Sequence, residues 1–137
     1  MTINERLIQV SNLKVRRGSF QLEIRDWQLG PGQVTGLVGP NGAGKTTLLE
    51  TLAGLRSSQR DTVKVFGLHP WRDPVKVRSY LGFMSDDLPL FDMRIGPLLQ
   101  MISGYYPTWD RDLVEQLLER FKLDPTARVD QLSKGQG

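Results

Sequence analysis

Residues 39–47 read GPNGAGKTT and fit the spacing G-x-x-x-x-G-K-[ST]. This stretch constrains the chain more than any other, because it is useful only between a strand and a helix. The flanks have that character. Val34, Leu37 and Val38 lie in a nearly uncharged run that reads as a strand buried on both faces, as in a parallel sheet. Leu48, Leu49, Leu52 and Leu55 mark one face of a helix starting near Lys45, with Gly54 placed to cap its end. Gly39, Gly42 and Gly44 permit backbone conformations closed to other residues, so successive N–H groups can turn inward around a phosphate with no Cβ in the way. Pro40, Asn41 and Ala43 complete the loop. The helix start directs a partial positive charge at the same place, and Lys45 adds a full one, which suits β- and γ-phosphates. The Thr46 hydroxyl is placed for a magnesium ion bridging those phosphates, and Thr47 for the α-phosphate. The plain alternative is a glycine-rich turn without a ligand.

Composition narrows what else the chain does. Its 137 residues suffice for one domain with one core. Lys and Arg number 18 against 15 Asp and Glu, so no basic stripe calls for nucleic acid, while a polyanionic ligand is compatible. There is no cysteine and a single histidine, His69, in GLHPW, which reads as a turn residue rather than a metal ligand. No apolar run reaches the length of a signal peptide or a membrane span, so the expected location is cytoplasmic.

Elsewhere, Ile8 and Val10, then Phe20, Leu22 and Ile24, alternate with polar residues, predicting an N-terminal antiparallel sheet. Thr62 to Phe66 predicts a further strand. Asp73-Pro74 predicts a helix start, followed by a strand from Tyr80 to Met84, which gives a β, α, β, α, β order. From about Pro97, Leu98, Leu99, Met101 and Ile102, then Leu113, Val114, Leu117, Leu118 and Phe121, recur at helical spacing. Tyr105, Tyr106 and Trp109 between them are expected to form the packing core of these helices. The expected organisation is one domain, residues 1–137, with a β subdomain and phosphate loop over 1–86 and a helical subdomain over 87–137.

Four stretches in order, LVGPNGAGKTTLLETLAGL, LGFMSDDLPLFDM, YYPTWDRDLVEQLLERF and the terminal LSKGQ, resemble the ATP-binding subunit of an ABC transporter, from about Leu7 to the end. The resemblance implies an α/β P-loop NTPase fold with an N-terminal antiparallel β subdomain and a helical subdomain. It implies ATP and Mg2+ as cofactors, a transmembrane subunit and a second ATP-binding subunit as partners, and a position on the inner face of the cell membrane through the partner. LSKGQ resembles the signature motif, which in the family touches the γ-phosphate held by a second subunit. Ser133, Gly135 and Gln136 carry it, and Lys134 stands where glycine is common. The family stacks an aromatic ring on adenine where this chain has Arg16 or Arg17, with Phe20 slightly later; Arg17 is the substitute expected to stack, or else a solvated strand-end arginine. Asp86 aligns with the family's magnesium-placing glutamine; it serves as a metal ligand or, with Asp87, caps a turn. RIGP at 94–97 replaces the usual helix opening, and Leu88 to Met93 resembles the surface presented to membrane subunits. The family's Walker B strand, catalytic glutamate and switch histidine follow the signature. The chain is therefore expected to be truncated before the second half of the core, with no catalytic residue of its own and no turnover alone. The alternatives are an inactive nucleotide-binding or dimerisation module and a non-functional fragment.

Overall fold

The computed structural model describes residues 7–59, 61–84 and 91–132. They fall into two compact units, divided between Leu81 and Gly82.

In the first unit, β1 (Ile8–Arg17) and β2 (Phe20–Leu29) form an antiparallel hairpin, and β3 (Val63–Val65) pairs antiparallel with the other edge of β1, giving the order β2-β1-β3. Arg17 pairs with Phe20, so the hairpin turns on Gly18-Ser19, with Gly18 at φ 58 in the first loop position where a two-residue turn demands positive φ. The alternation has a phase change the sequence reading did not anticipate. Val10, Leu13 and Val15 are all buried, an odd interval that strict alternation forbids. Asn12, at φ 51, takes the left-handed conformation between them and switches which residues face inward. Asparagine tolerates that conformation better than most side chains.

Helix α1 (Lys45–Leu52) covers the sheet with Leu48 and Leu52, which join Val10, Leu13, Val15, Val63, Val65 and Val77 in one core. Leu49 and Leu55, assigned to the same face from spacing, are 46% and 50% exposed; the buried stripe is Thr47, Leu48, Thr51 and Leu52. Threonine is tolerated inside because the Thr51 hydroxyl donates to the Thr47 carbonyl at 2.7 Å. Gly54 caps the helix as expected: Leu55 N–H donates to Glu50 O at 2.9 Å and Gly54 N–H to Thr51 O at 3.1 Å, with Gly54 at φ 68. Helix α2 (Pro74–Arg78) starts with proline after Asp73, although the Asp73 side chain makes no capping bond. His69 lies in the turn before it, its carbonyl accepting from the N–H groups of Arg72 and Asp73.

Two expected strands are not strands. Residues 33–39 carry no regular structure and pair with no strand among the described residues, and Val34 and Val38 are 103% and 96% exposed. Residues 81–84 carry no regular structure, and Met84 is 80% exposed. The physical reason is shared. A strand buried on both faces is held by neighbours on both edges, and backbone groups without such partners stay in water. The β3 strand is also shorter than expected, ending where Phe66 turns to φ 54.

In the second unit, α3 (Ile95–Ser103) and α4 (Arg111–Phe121) are followed by a 3-10 turn, Val129–Gln131. Asp110 caps α4, its carboxylate accepting from Leu113 N–H at 2.9 Å. The RIGP opening has a local reason: Ile95 and Gly96 N–H groups donate to Ala127 O and Pro125 O, and a Cβ on Gly96 would lie 3.2 Å from that Pro125 oxygen. Arg128 fixes the same corner through ion pairs with Asp92 and Asp130. Leu98, Leu99, Trp109, Val114, Leu118 and Phe121 are among the residues lining an apolar cleft of about 410 Å³. Of the three aromatics expected to pack together, Tyr106 and Trp109 do, with centroids 6.5 Å apart, while Tyr105 is exposed. No described helix is long and apolar enough to cross a membrane.

Candidate functional site: the loop at residues 39–47

The start of α1 breaks two ordinary rules of helix stability. Its N-cap is Gly44, at φ 94, with no side-chain capping bond, and its first turn holds Lys45 and no acidic residue. A serine or aspartate cap would add about a few tenths of a kcal/mol over glycine by bonding a free N–H, and a lysine at the positive end of the dipole opposes the helix. The same two features make sense at an anion site. The first N–H groups of a helix lack intrahelical acceptors, and a capping side chain would occupy them. Departures from local rules concentrate where function requires them.

The loop itself is curled. Gly42 and Gly44 have φ of 83 and 94, Ala43 N–H donates to Pro40 O at 3.2 Å, and a Cβ on Gly39 would come within 3.3 Å of Ala43 Cβ. Lys45 Nζ reaches back across this curl and donates to Gly39 O at 2.7 Å and Pro40 O at 2.9 Å, using two of its three donors. Gly39 through Ala43 are exposed, and Gly44 and Lys45 are half-buried. Of the two adjacent threonines, Thr46 is exposed and Thr47 is 3% exposed, so only Thr46 presents its side chain to solvent. The donor set is backbone N–H groups, an ammonium and a free hydroxyl. That chemistry fits a polyphosphate with a hard cation.

One contact was not foreseen from the sequence. The place a Cβ would take on Gly44 lies 2.9 Å from Phe20 Cζ and 3.1 Å from Leu22 Cδ1, so the first residues of β2 pack directly against the loop. Alternation had put Phe20 and Leu22 on one face of the hairpin, but nothing local says which part of the chain that face meets. Arg17 is the register partner of Phe20, whereas Arg16 donates through Nε to Gln21 Oε1 at 3.0 Å. Asp86, Ser133, Gly135 and Gln136 lie outside the described residues, as do residues 88–90 of the Leu88 to Met93 stretch and the side chain of Arg17. Among the described residues no cluster of three acidic or histidine side chains could hold a metal ion.

A glycine-curled loop opening a helix against a sheet is the phosphate-binding element of a P-loop protein. The chain belongs to the ABC transporter family, whose model matches residues 22–137. It is 36% identical over 104 residues to the vitamin B12 import ATP-binding protein BtuD of Yersinia enterocolitica, covering 74% of this chain and 38% of that protein. It is 32% identical over 140 residues to the sulfate/thiosulfate import ATP-binding protein CysA of Methylococcus capsulatus, covering 94% of this chain and 40% of that one. A solved structure, described as the ATP binding subunit of an ABC transporter, superposes with a TM-score of 0.82 at 22% identity over 94% of this chain and 57% of its own, which shows the fold. The chain has the P-loop NTPase fold of ABC ATPase domains, with an N-terminal antiparallel sheet and helices, and represents part of such a domain. It spans less than half the length of either curated relative.

Proposed function

We propose that this chain is the nucleotide-binding part of an ABC transporter ATP-binding subunit, and that residues 39–47 hold Mg-ATP. The observation that carries the reading is the uncapped start of α1, where Gly42 and Gly44 at positive φ curl the backbone and Lys45 spans the curl. In this reading the N–H groups from Gly42 to Thr47 receive phosphate oxygens, and Lys45 exchanges its carbonyl partners for the β- and γ-phosphates. Pro40 and Asn41 shape the outer rim. Thr46, with Asp86, would hold magnesium, which when bound offsets the charge of the phosphates. Arg17, which stands where the family stacks an aromatic ring, is assigned to adenine through its guanidinium plane.

Ser133, Gly135 and Gln136 belong to the family's signature and are assigned to the nucleotide of a second ATP-binding subunit. In the complete subunit, hydrolysis drives a transmembrane partner, which places the chain on the inner membrane face. BtuD and CysA are named as import proteins, which supports a transport role without giving a cargo. Equilibrium binding of ATP with and without magnesium tests the site. Magnesium should tighten binding, and Thr46→Val should lose most of that gain while retaining magnesium-free affinity. Binding indifferent to magnesium would overturn the metal assignment.

A further inference from the structure

We propose that Phe20 is a positioning residue for the phosphate loop: its ring fills the side of Gly44 and holds that backbone in the conformation that aims the first N–H groups of α1. The inference rests on the phosphate-binding reading above and gives the N-terminal hairpin a role in it. Phe20 Cζ and Cε1 lie 2.9 and 3.2 Å from the place a Cβ on Gly44 would take, and Leu22 Cδ1 lies 3.1 Å from it. These distances mean that the space a side chain would claim at Gly44 is already filled by β2. Gly44 is both the last residue of the curl and the N-cap of α1, at φ 94 and ψ 12. A rotation there swings the N–H of Lys45 and everything before it. Because glycine has no side chain to restrain that rotation, the restraint comes from what packs against it.

The hairpin is suited to supply it. Phe20 is the first residue of β2, fixed in register opposite Arg17 by a two-residue turn, and Leu22 and Ile24 follow on the same face and pack against the core. The ring is thus the end of a row anchored in the unit's interior, not a free side chain. Ile24 shares the row, but the three atoms nearest that place belong to Phe20 and Leu22, so a change at Ile24 serves to separate loop support from general stability.

A ligand without a base distinguishes this role from stacking. Titration calorimetry on the full chain, with Mg-ATP and with magnesium tripolyphosphate, is compared for the wild type, Phe20→Ala, Phe20→Leu and Ile24→Ala. Phe20→Ala should weaken both ligands by the same factor, about tenfold, equivalent to ~1.4 kcal/mol. Phe20→Leu, which keeps most of the bulk, should recover most of the affinity for both and guards against an alanine variant that does not fold. Ile24→Ala should lower the melting temperature and leave tripolyphosphate affinity unchanged. Loss of ATP affinity alone would make Phe20 a base-stacking residue and overturn the proposal. So would unchanged affinities in both Phe20 variants, or an equal loss in Ile24→Ala. A wild type that binds neither ligand would overturn the phosphate reading itself.

Discussion

Replacing Gly54 by alanine separates two energies that usually arrive together. Gly54 closes α1 at φ 68, and a Cβ there would lie 2.4 Å from the carbonyl oxygen of Pro70 and 2.8 Å from its carbonyl carbon. The obstacle is backbone, and Pro70 is fully buried, so it has little room to withdraw. Holding alanine in the left-handed conformation costs about 1–2 kcal/mol. Forcing extra volume into a packed contact costs about 1–3 kcal/mol more. The expected loss is therefore about 2–5 kcal/mol, a large share of the ~5–15 kcal/mol that keeps a domain folded. Gly32 provides the comparison, at φ 69 with nothing within 4 Å of the place its Cβ would take. Gly32→Ala should bear only the backbone cost. Urea unfolding followed by circular dichroism on both variants measures the difference, expected at about 1–3 kcal/mol in favour of Gly32→Ala. Equal destabilisation of the two would refute the steric argument and with it the packing of α1 against the Pro70 turn.

Two further outcomes concern caps and charges. Asp110→Ala removes the acceptor for Leu113 N–H and should cost about 1 kcal/mol, while Asp110→Asn should cost much less; thermal unfolding checks both. The Glu23 carboxyl is held below the ordinary glutamate range by its hydrogen bond to Lys14, then by Gln21 and the charge of Lys14. Because the folded-state value is the lower one, its contribution is complete above the unfolded value of about 4.3 and is lost as pH falls through the folded value. Urea midpoints measured from neutral pH to acid should drop less steeply for Glu23→Gln than for the wild type.

What the sequence discloses is what depends on neighbours along the chain. The curl at 39–47, the start of α1 at Lys45, the Gly54 cap, the proline start of α2 and the helical spacing of α3 and α4 follow from residues within a few positions of one another. The hairpin of β1 and β2 was legible from its alternation, except at Asn12, whose single left-handed residue shifts the pattern without leaving a compositional mark. The runs at 34–38 and 80–84 show the opposite case. Their apolar character states a preference for a buried sheet, but a ladder needs a partner from elsewhere, and spacing within one run contains no information about it. The Phe20 contact with Gly44 escaped for the same reason, since one partner has no side chain to advertise it. At α1 the sequence assigned Leu49 to the core and left Thr51 out, because hydropathy alone does not foresee a hydroxyl satisfied by the carbonyl one turn back.

The central claim is that residues 39–47 hold the phosphates of Mg-ATP, and Lys45 tests it most directly. Its ammonium makes two hydrogen bonds to loop carbonyls, at 2.7 and 2.9 Å, and is the mobile positive charge of the site. Charge-assisted bonds of this kind are worth about 1.5–3 kcal/mol each. Titrating a fluorescent ATP analogue with magnesium into the wild type, Lys45→Ala and Lys76→Ala compares variants with the same change in net charge, one in the loop and one on α2. The account predicts a loss of about tenfold or more for Lys45→Ala and wild-type affinity for Lys76→Ala. Equal affinity of Lys45→Ala and the wild type would contradict it.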